Sequence, residues 1–575
     1  MCIKIIKFSL VFIYPLLLLL LSLYLYRNKN YNSIIKKYKN IIMYNTIIAL
    51  CIFIFLATLF FVYEDTIYVY DSSGYWTKFL SLRHSFKDAS AIFENLLYTM
   101  NYTDYSTLPV LFIFLFSYFG SSYFVYILGI IFFYFTPLVY LINICYFKFT
   151  NKHKLLPVFL VLLFFPIYIS IFYGMPDISG FMLLTYIFML FVIPSFNNIN
   201  KYDYLLLNIL MFILIFLRRW YIFPAATIYL IIFVKYLINN YRDIFSQKSL
   251  NDFTKILMSG LPLLIILIIF FRPYINVLLF NKFDDSYSYY QRNNHLIELV
   301  NFYSMFFIII FLYGIFKYIR SRENLELFFY NAILFIIPLV IFASIQSLEI
   351  HHYYIITLPL FALWSYSIYQ ILDNNKILGT FTISLCILQL IHIFVPNNID
   401  LYLATSVKKA PIKLENKDKL IEVSNDIESI VCDYYIYVAS GGKEFNEDYL
   451  KNAKLPTPTK ANYVYATLDA RDIFPDYIQG IDYILLTDPI QYYDDPSHQQ
   501  LYTIINKAIT EEVIFKDIYK VVYTNELYYN KQVDVTLYQK VSPLTNEHLE
   551  WFYNEYTRIY PEKEYQIRNK LQLLD

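Results

Sequence analysis

Glycine, charge and cysteine are all scarce in this sequence. Only 16% of the 575 residues are charged and 11 are glycine, whereas 58% are hydrophobic and 21% are aromatic. A composition this apolar is typical of membrane proteins. The formal net charge of +1 leaves no basic footprint of the kind that nucleic-acid-binding proteins carry. We therefore expect a membrane protein that contacts the lipid bilayer and has no nucleic-acid partner.

Motifs that are common in soluble enzymes are absent as well. The sequence contains no Gly-rich phosphate loop, no GxSxG motif and no internal repeat. Tyr and Phe are abundant throughout, with 61 and 53 residues, which indicates codon bias, so a single aromatic residue carries little functional weight. The cysteines are scattered without the spacing of a zinc site or a disulfide framework, at Cys2, Cys51, Cys145, Cys386 and Cys432.

Long apolar runs fill the first two thirds of the chain. A span needs roughly 20 apolar residues, and about twelve runs are candidates, of which 181–194 and 302–316 are short. No small-residue cleavage site follows the first run, so a retained helix is favoured over a signal peptide. The candidate spans are 8–26, 41–63, 121–147, 155–173, 181–194, 204–217, 221–238, 256–279, 302–316, 327–346, 353–371 and 377–395.

Lysine and arginine collect in one set of loops, which the positive-inside rule places in the cytoplasm. These basic residues are Arg27, Lys29, Lys36, Lys37, Lys39, Lys148, Lys152, Lys154, Lys201, Arg242, Lys248, Lys255, Lys317, Arg320, Arg322 and Lys376. The opposite side receives elements far apart in sequence, which this topology predicts to lie on one outer surface. They are the 64–109 loop, the Met175-Pro176-Asp177 turn, Arg218-Arg219, the 281–300 loop and residues 349–352.

The 64–109 loop is too long for a simple connection, and loops of this length mostly carry function. Its apolar residues recur at helical spacing, which predicts two short helices on the membrane surface. Its acids are Glu64, Asp65, Asp71 and Asp104. A carboxylate there can take a proton from an incoming hydroxyl. The alternative is that these acids only cap helices, as Asp71 could do with Ser72 and Ser73.

Two basic pairs interrupt the outer side of the apolar runs, Arg218-Arg219 and His351-His352. Guanidinium groups suit phosphate oxygens, and imidazolium adds charge when protonated. Snorkelling to lipid headgroups is the alternative explanation. Asp177, in the GMPDISG turn, could likewise be only an N-cap. Acids and cations on one membrane surface suit the displacement of a sugar from a lipid phosphate by a hydroxyl.

These motifs resemble the GT-C superfamily of membrane glycosyltransferases, which use polyprenyl-phosphate sugars. The resemblance is to the branch of protein O-mannosyltransferases and lipid A aminoarabinose transferases. It is carried by DSSGYW at Asp71, DYSTLPVLFIFLFSYFG from Asp104 to Gly120, MPDISGFMLL around Asp177, LRRWYIFPAA at Arg218 and Arg219, and HHYYIITLPLFAL at His351 and His352. Ser72 stands where that branch usually has a second acid, and arginines and histidines replace its usual Lys and Arg.

The resemblance implies a role for each candidate residue. Asp71 is the general base. Asp104, Asp177, Glu64 and Asp65 assist acceptor or metal binding, and a divalent metal ion is left open as a cofactor. Arg218, Arg219, His351 and His352 bind the donor phosphate, and Tyr75 and Trp76 belong to the substrate loop. The donor is a polyprenyl-phosphate sugar, transferred with inversion to a glycan, lipid or protein acceptor.

After residue 395 the apolar pattern stops. Strand-like runs at 430–440, 483–488 and 533–541 alternate with helical stretches near 499–510 and 546–560. About 180 residues can bury a core of their own, so residues 396–575 are predicted to form a soluble, extracytoplasmic α/β domain. The remaining parts are an extra first helix with its cytoplasmic loop (1–40) and a GT-C-like catalytic domain (41–395).

The sequence thus predicts a multi-pass α-helical membrane protein of GT-C type, in a bacterial cytoplasmic membrane, with an outer α/β domain. The predicted function is glycosyl transfer outside the cytoplasm. Two alternatives stay open. One is an oligosaccharide polymerase or ligase with a lipid-diphosphate donor, and the other is a lipid or solute transporter. Transporters usually place charges mid-membrane and show related halves, whereas here the charges cluster at one surface.

Overall fold

The computed structural model describes residues 2–571 except for fourteen short stretches. These are 86–88, 104, 196–200, 243–245, 281–294, 322–324, 346–351, 396–408, 443–444, 458, 465–477, 493–495, 529–531 and 562–563. The chain divides into two compact units. The helical unit contains Met1–Tyr63, Gly74–Asn281 and Tyr290–Pro411, and the sheet unit contains Glu64–Ser73 and Ile412–Asp575.

The helical unit is built from apolar helices with short connections. In chain order they are α1 (Cys2–Arg27), α2 (Asn32–Tyr63), α3 (Asp71–Ser85, whose first residues belong to the sheet unit), α4 (Ala89–Tyr102), α5 (Leu108–Ile113), α6 (Tyr123–Ile130), α7 (Thr136–Phe149), α8 (Leu156–Leu163), α9 (Pro166–Phe172), α10 (Ile178–Ile187), α11 (Lys201–Leu217), α12 (Ile222–Asn239), α13 (Gln247–Phe270), α14 (Arg272–Phe280), α15 (His295–Tyr303), α16 (Met305–Ser321), α17 (Leu325–Ile345), α18 (Thr357–Asn374) and α19 (Lys376–Phe394).

Five helical segments of the described chain are long and apolar enough to cross a membrane. A sixth is added if the pair Ile297–Tyr303 and Met305–Ser321, bent by 98°, is one span. These apolar helices agree with the predicted membrane protein, while the expected number of about twelve spans is not reached by these criteria. The five segments are Asn32–Tyr63, Tyr123–Phe149, Arg219–Asn239, Leu325–Ser344 and Lys376–Phe394.

Other predicted spans are helical but interrupted. The run at 155–173 breaks after α8, and α9 restarts with Pro166 in its first turn, where the missing N–H of proline costs no helical hydrogen bond. By contrast, the break between the predicted spans 204–217 and 221–238 was expected. There the backbone of Arg218 is extended, and a 3₁₀ turn (Arg219–Tyr221) leads into α12. Irregular backbone at membrane depth is tolerated where protein buries it or a cavity adjoins it.

The two helices predicted in the 64–109 loop are present as α3 and α4. Phe79 and Leu82 of α3 are buried, as are Ile92 and Met100 of α4. Met100 joins an apolar cluster with Phe216, Phe271 and Tyr274. These helices therefore pack within the helical unit through most of the positions that the sequence periodicity indicated, although Phe93, which the same periodicity placed on the apolar face, is 55% exposed.

The sheet unit confirms the predicted α/β domain. Its five-stranded sheet has the order β2-β1-β3-β5-β4, with β2-β1-β3 parallel and β3-β5-β4 antiparallel. The elements are α20 (Lys417–Val431), β1 (Tyr435–Val438), α21 (Glu447–Asn452), β2 (Asn462–Val464), β3 (Tyr483–Asp488), α22 (Gln500–Thr510), β4 (Tyr519–Tyr528), β5 (Gln532–Lys540), α23 (Asn546–Ile559) and α24 (Glu564–Leu571).

Alternating side chains of the strands bury two cores, one on each face of the sheet. Ile436 and Leu485 face the core under α20 and α21, whereas Tyr437 and Ile484 face the core under α22 and α23. A residue from outside the predicted 396–575 domain completes the first core. Ile67 is 5% exposed there, so the start of the 64–109 loop is built into the sheet unit.

Candidate active site

A buried ion pair marks the polar centre of the helical unit. Arg218 Nε lies 3.2 Å from Asp177 Oδ1, and the two side chains are 3% and 1% exposed. Charges buried in an apolar helical bundle are costly and usually functional. Sequence reasoning placed both residues on one surface but left open whether Asp177 only caps a helix. Asp177 does occupy the N-cap position of α10, but its side chain makes no capping hydrogen bond.

The turn that carries Asp177 is held from several sides. Tyr126 Oη donates to the Gly174 carbonyl at 2.6 Å, and Ser170 Oγ donates to the Met175 carbonyl at 2.8 Å. Tyr221, in the turn after Arg218, donates to the Asp177 carbonyl at 2.8 Å. The turn is therefore rigidly attached to neighbouring helices, which fixes where the Asp177 carboxylate points.

Gly180 makes room for Tyr221 against the first turn of α10. A Cβ built on Gly180 would lie 2.1 Å from ring carbons of Tyr221, closer than any real contact. Tyr221 is 1% exposed and has no space to withdraw into without repacking. The close approach of this ring to α10 thus depends on glycine.

We expect Gly180→Ala to destabilise the protein by about 1–3 kcal/mol, because overpacking a buried contact forces side chains off their rotamers. It should also displace Tyr221 from Asp177. Gly74→Ala, in α3, is the matched control, since no atom lies within 4 Å of its added Cβ, and it should be neutral or slightly stabilising. Thermal unfolding in detergent compares the two variants. Equal midpoints would contradict the packing role of Gly180.

Tyrosines of the 64–109 loop complete the surroundings of Arg218. Arg218 Nη1 donates to Tyr75 Oη at 2.8 Å. The guanidinium carbon also lies 5.6 Å and 5.4 Å from the ring centroids of Tyr75 and Tyr105, distances at which a cation is attracted to an aromatic face. Trp76, the other predicted loop residue, donates its indole N–H to the Ser121 carbonyl at 3.1 Å.

Arg219 and His352 meet around one indole ring. The Arg219 guanidinium carbon is 4.2 Å from the Trp220 centroid, and the His352 ring is 5.0 Å from the same indole and 4.7 Å from Phe342. Both predicted phosphate-binding side chains are buried, with 6% and 2% exposure. The structure therefore brings together two basic residues that lie far apart in sequence.

Asp71 is the first residue of α3 and is half-buried. It lies within the Glu64–Ser73 segment, which belongs to the sheet unit. Tyr70 N–H donates to Asp448 Oδ2 at 2.6 Å. Burial raises the pKa of the Asp448 carboxyl above its usual range, the Tyr70 N–H and Lys451 oppose this, and the charge of Asp71 raises it further. The Asp448 carboxylate thus binds the residue next to Asp71, although no site was predicted in that part of the sequence.

The remaining predicted residues have other partners or lie outside the described residues. Glu64 accepts from Tyr68 Oη at 2.8 Å. Asp65 forms an ion pair with Lys417 and is 57% exposed, an exposed position typical of a structural surface pair. Asp104 and His351 lie outside the described residues.

Within the described part of the chain, no group of three or more His, Cys, Asp or Glu side chains could hold a metal ion. Divalent cations are usually bound by several oxygen ligands, and the described residues do not provide such a set. We therefore derive no catalytic step through a metal.

The chain was compared with models of protein families, with curated proteins and with solved structures. None of them matches it. Function is therefore inferred from the chemistry of the site and from the motif resemblance.

Sequence reasoning missed several residues that build this arrangement. Tyr105, Tyr221 and Gly180 support the ion pair, and Asp448 accompanies Asp71. The tyrosines carry no signal among 61. Asp448 could have been noticed only as an acid near the start of a short helix, a position where acids are common for structural reasons.

Proposed function

We propose that this protein is an integral membrane glycosyltransferase that moves a sugar from a polyprenyl-phosphate donor to an extracytoplasmic acceptor. The acceptor is a cell-wall polymer, a lipid-linked glycan or a protein. The reaction is a single displacement with inversion at the anomeric carbon, and Asp71 is its general base. About twelve helical segments, some of them broken, surround the lipid-linked donor.

The burial of Arg218, Arg219 and His352 is the observation that carries this proposal. Arg218 is held by Asp177 and Tyr75, whereas Arg219 and His352 lie against Trp220, all inside an apolar helical unit. Burying cations in such surroundings is expensive unless they are paired or bind an anion. A lipid phosphate is an anion whose headgroup sits at the membrane surface and whose tail stays in hydrocarbon, so it suits these side chains.

Each cation has a distinct place in the proposed reaction. Asp177 and Tyr75 orient the Arg218 guanidinium, whose planar fork matches phosphate oxygens. Arg219 and the protonated form of His352 add positive charge beside Trp220. When the bond from the anomeric carbon to the phosphate oxygen breaks, its electron pair stays on the lipid phosphate. Preformed cations stabilise that charge without reorganising.

Asp71 is suited to the other half of the reaction. Asp71 and Tyr75 are four residues apart in α3, so their side chains share one face of the helix. Tyr75 is bonded to Arg218. In the proposed step the Asp71 carboxylate takes the proton of the acceptor hydroxyl while the acceptor oxygen bonds to the anomeric carbon.

Turnover of defined donors tests the proposal. The purified protein, reconstituted in lipid, is offered a panel of polyprenyl-phosphate sugars and polyprenyl-diphosphate oligosaccharides, and transfer and donor hydrolysis are both measured. We expect release of polyprenyl phosphate from one monophosphate donor. Turnover of diphosphate oligosaccharides alone would favour a polymerase or ligase. Lipid movement between leaflets without any cleavage would favour a transporter.

A further inference from the structure

The ten residues before and at the start of α3 are integrated into the sheet unit. Asp65 exchanges backbone hydrogen bonds with the chain at Ile412 and Leu414, each at 2.8 Å. Asn452 Nδ2 donates to the Tyr68 carbonyl at 2.9 Å, and Ile67 is buried in the first core of the sheet unit. The Glu64–Ser73 segment therefore gains its conformation from residues more than three hundred positions later.

Tyr70 is the most tightly held residue of this segment. Its Oη accepts from Asn446 Nδ2 at 2.8 Å and donates toward the Gly441 carbonyl at 3.1 Å. Its backbone N–H donates to Asp448 Oδ2 at 2.6 Å. The side chain and the backbone of Tyr70 are thus both fixed by residues 441–448 of the sheet unit.

The backbone of Tyr70 is strained. Its φ angle is +54°, the left-handed region that bulky side chains rarely adopt. Such a conformation persists only where surrounding contacts enforce it, and these residues concentrate at functional sites. Tyr70 directly precedes Asp71, the candidate base. The Tyr70 carbonyl accepts from the Ser73 N–H at 3.1 Å in the first turn of α3.

The contact with Asp448 is retained at a cost. Burial raises the pKa of this half-buried carboxyl, and repulsion from the charge of Asp71 raises it further. A neutral acceptor could bond the same N–H without that repulsion. Natural proteins keep unfavourable local arrangements mainly where function requires them.

We propose that Asp448 is a positioning residue for Asp71, because its hydrogen bond to the Tyr70 N–H fixes the left-handed backbone from which α3 and the Asp71 carboxylate emerge. This inference rests on the proposed function of Asp71 as the base, and it gives the sheet unit a part in transfer. Asp448 does not touch the reacting atoms. It acts through the backbone of Tyr70.

Three variants of the full-length protein test this role. Asp448→Ala removes the acceptor, whereas Asp448→Asn keeps an oxygen that can accept the same N–H. Asp482→Ala is the matched control, because Asp482 Oδ2 accepts the backbone N–H of Tyr435 at 3.1 Å elsewhere in the sheet unit. We measure kcat and KM for the donor, thermal unfolding, and hydrogen exchange of peptides covering residues 64–73.

We expect Asp448→Ala to lower kcat by about 10- to 100-fold with little change in KM, since a misplaced reacting group costs rate rather than ground-state binding. Hydrogen exchange in residues 64–73 should become about tenfold faster or more with the loss of a charged acceptor. Asp448→Asn should restore most of kcat, and Asp482→Ala should leave kcat and this exchange unchanged.

Two results would overturn the positioning role. One is unchanged exchange in residues 64–73 of Asp448→Ala. The other is an equal loss of kcat in Asp482→Ala, which indicates a general effect of the domain. If Asp71→Asn is itself fully active, the base assignment fails, but faster exchange in Asp448→Ala still supports the fixation of Tyr70. The two failures are thereby distinguished.

Discussion

Asp71→Asn is expected to lower sugar transfer by about 100-fold or more, the usual contribution of a positioned general base. Asparagine has nearly the same shape as aspartate but cannot take the proton of the acceptor hydroxyl. The loss should appear in kcat at saturating donor and acceptor. The measurement is the rate of transfer by reconstituted protein, with the donor identified from the panel of polyprenyl-phosphate sugars.

Asp418→Asn is the matched control, because it makes the same change at an exposed acid in the first turn of α20. Its rate should stay within about twofold of wild type, as surface substitutions usually have small effects. Thermal unfolding of both variants should match wild type. Full activity of a folded Asp71→Asn protein would remove Asp71 as the base and move the search to other acids.

Asp177→Ala is expected to destabilise the protein by about 3–5 kcal/mol, because it leaves the buried charge of Arg218 without its carboxylate. The Tyr75 hydroxyl can still accept from Arg218, but a neutral phenol does not balance a guanidinium charge. Thermal or denaturant unfolding in detergent gives the change. Unfolding indistinguishable from wild type would mean that the ion pair contributes nothing to stability.

A double variant separates stability from function at this pair. Replacing both partners by apolar residues of similar length, Asp177→Leu with Arg218→Met, should recover most of the stability, because buried ion pairs are often replaceable by packed apolar side chains. Transfer should nevertheless remain lost if Arg218 stabilises the departing phosphate. Recovery of both stability and transfer would show that the pair is purely structural.

The candidate site could be predicted from sequence only as a set of residues on one surface. Polar residues that interrupt apolar runs stand out locally, which is how Asp177, Arg218 and His352 were found. Their partners could not be found in this way. Tyr75 bonds to Arg218 across 143 positions, and nothing in the periodicity of either segment specifies that pairing.

The predicted domain boundary illustrates the same limit. The change from apolar to mixed composition near residue 396 is visible in sequence, and it separates most of the two units. Yet Glu64–Ser73 belongs with the sheet unit, because backbone bonds and the burial of Ile67 tie it there. Composition reports how polar a segment is and says little about which distant segment it pairs with.

The sequence by itself determined the apolar helices that suit a membrane, the helices α3 and α4, and the strands β1, β3 and β5, but not β2 or β4. These features depend on local hydrophobic periodicity, which the chain carries residue by residue. Only the tertiary structure decided that Arg218 pairs with Asp177, that Arg219 and His352 share Trp220, and that Asp448 accepts the N–H of Tyr70, the residue before Asp71. Those choices depend on contacts such as the one between Tyr70 and Asp448, 378 positions apart, which form only when the whole chain packs.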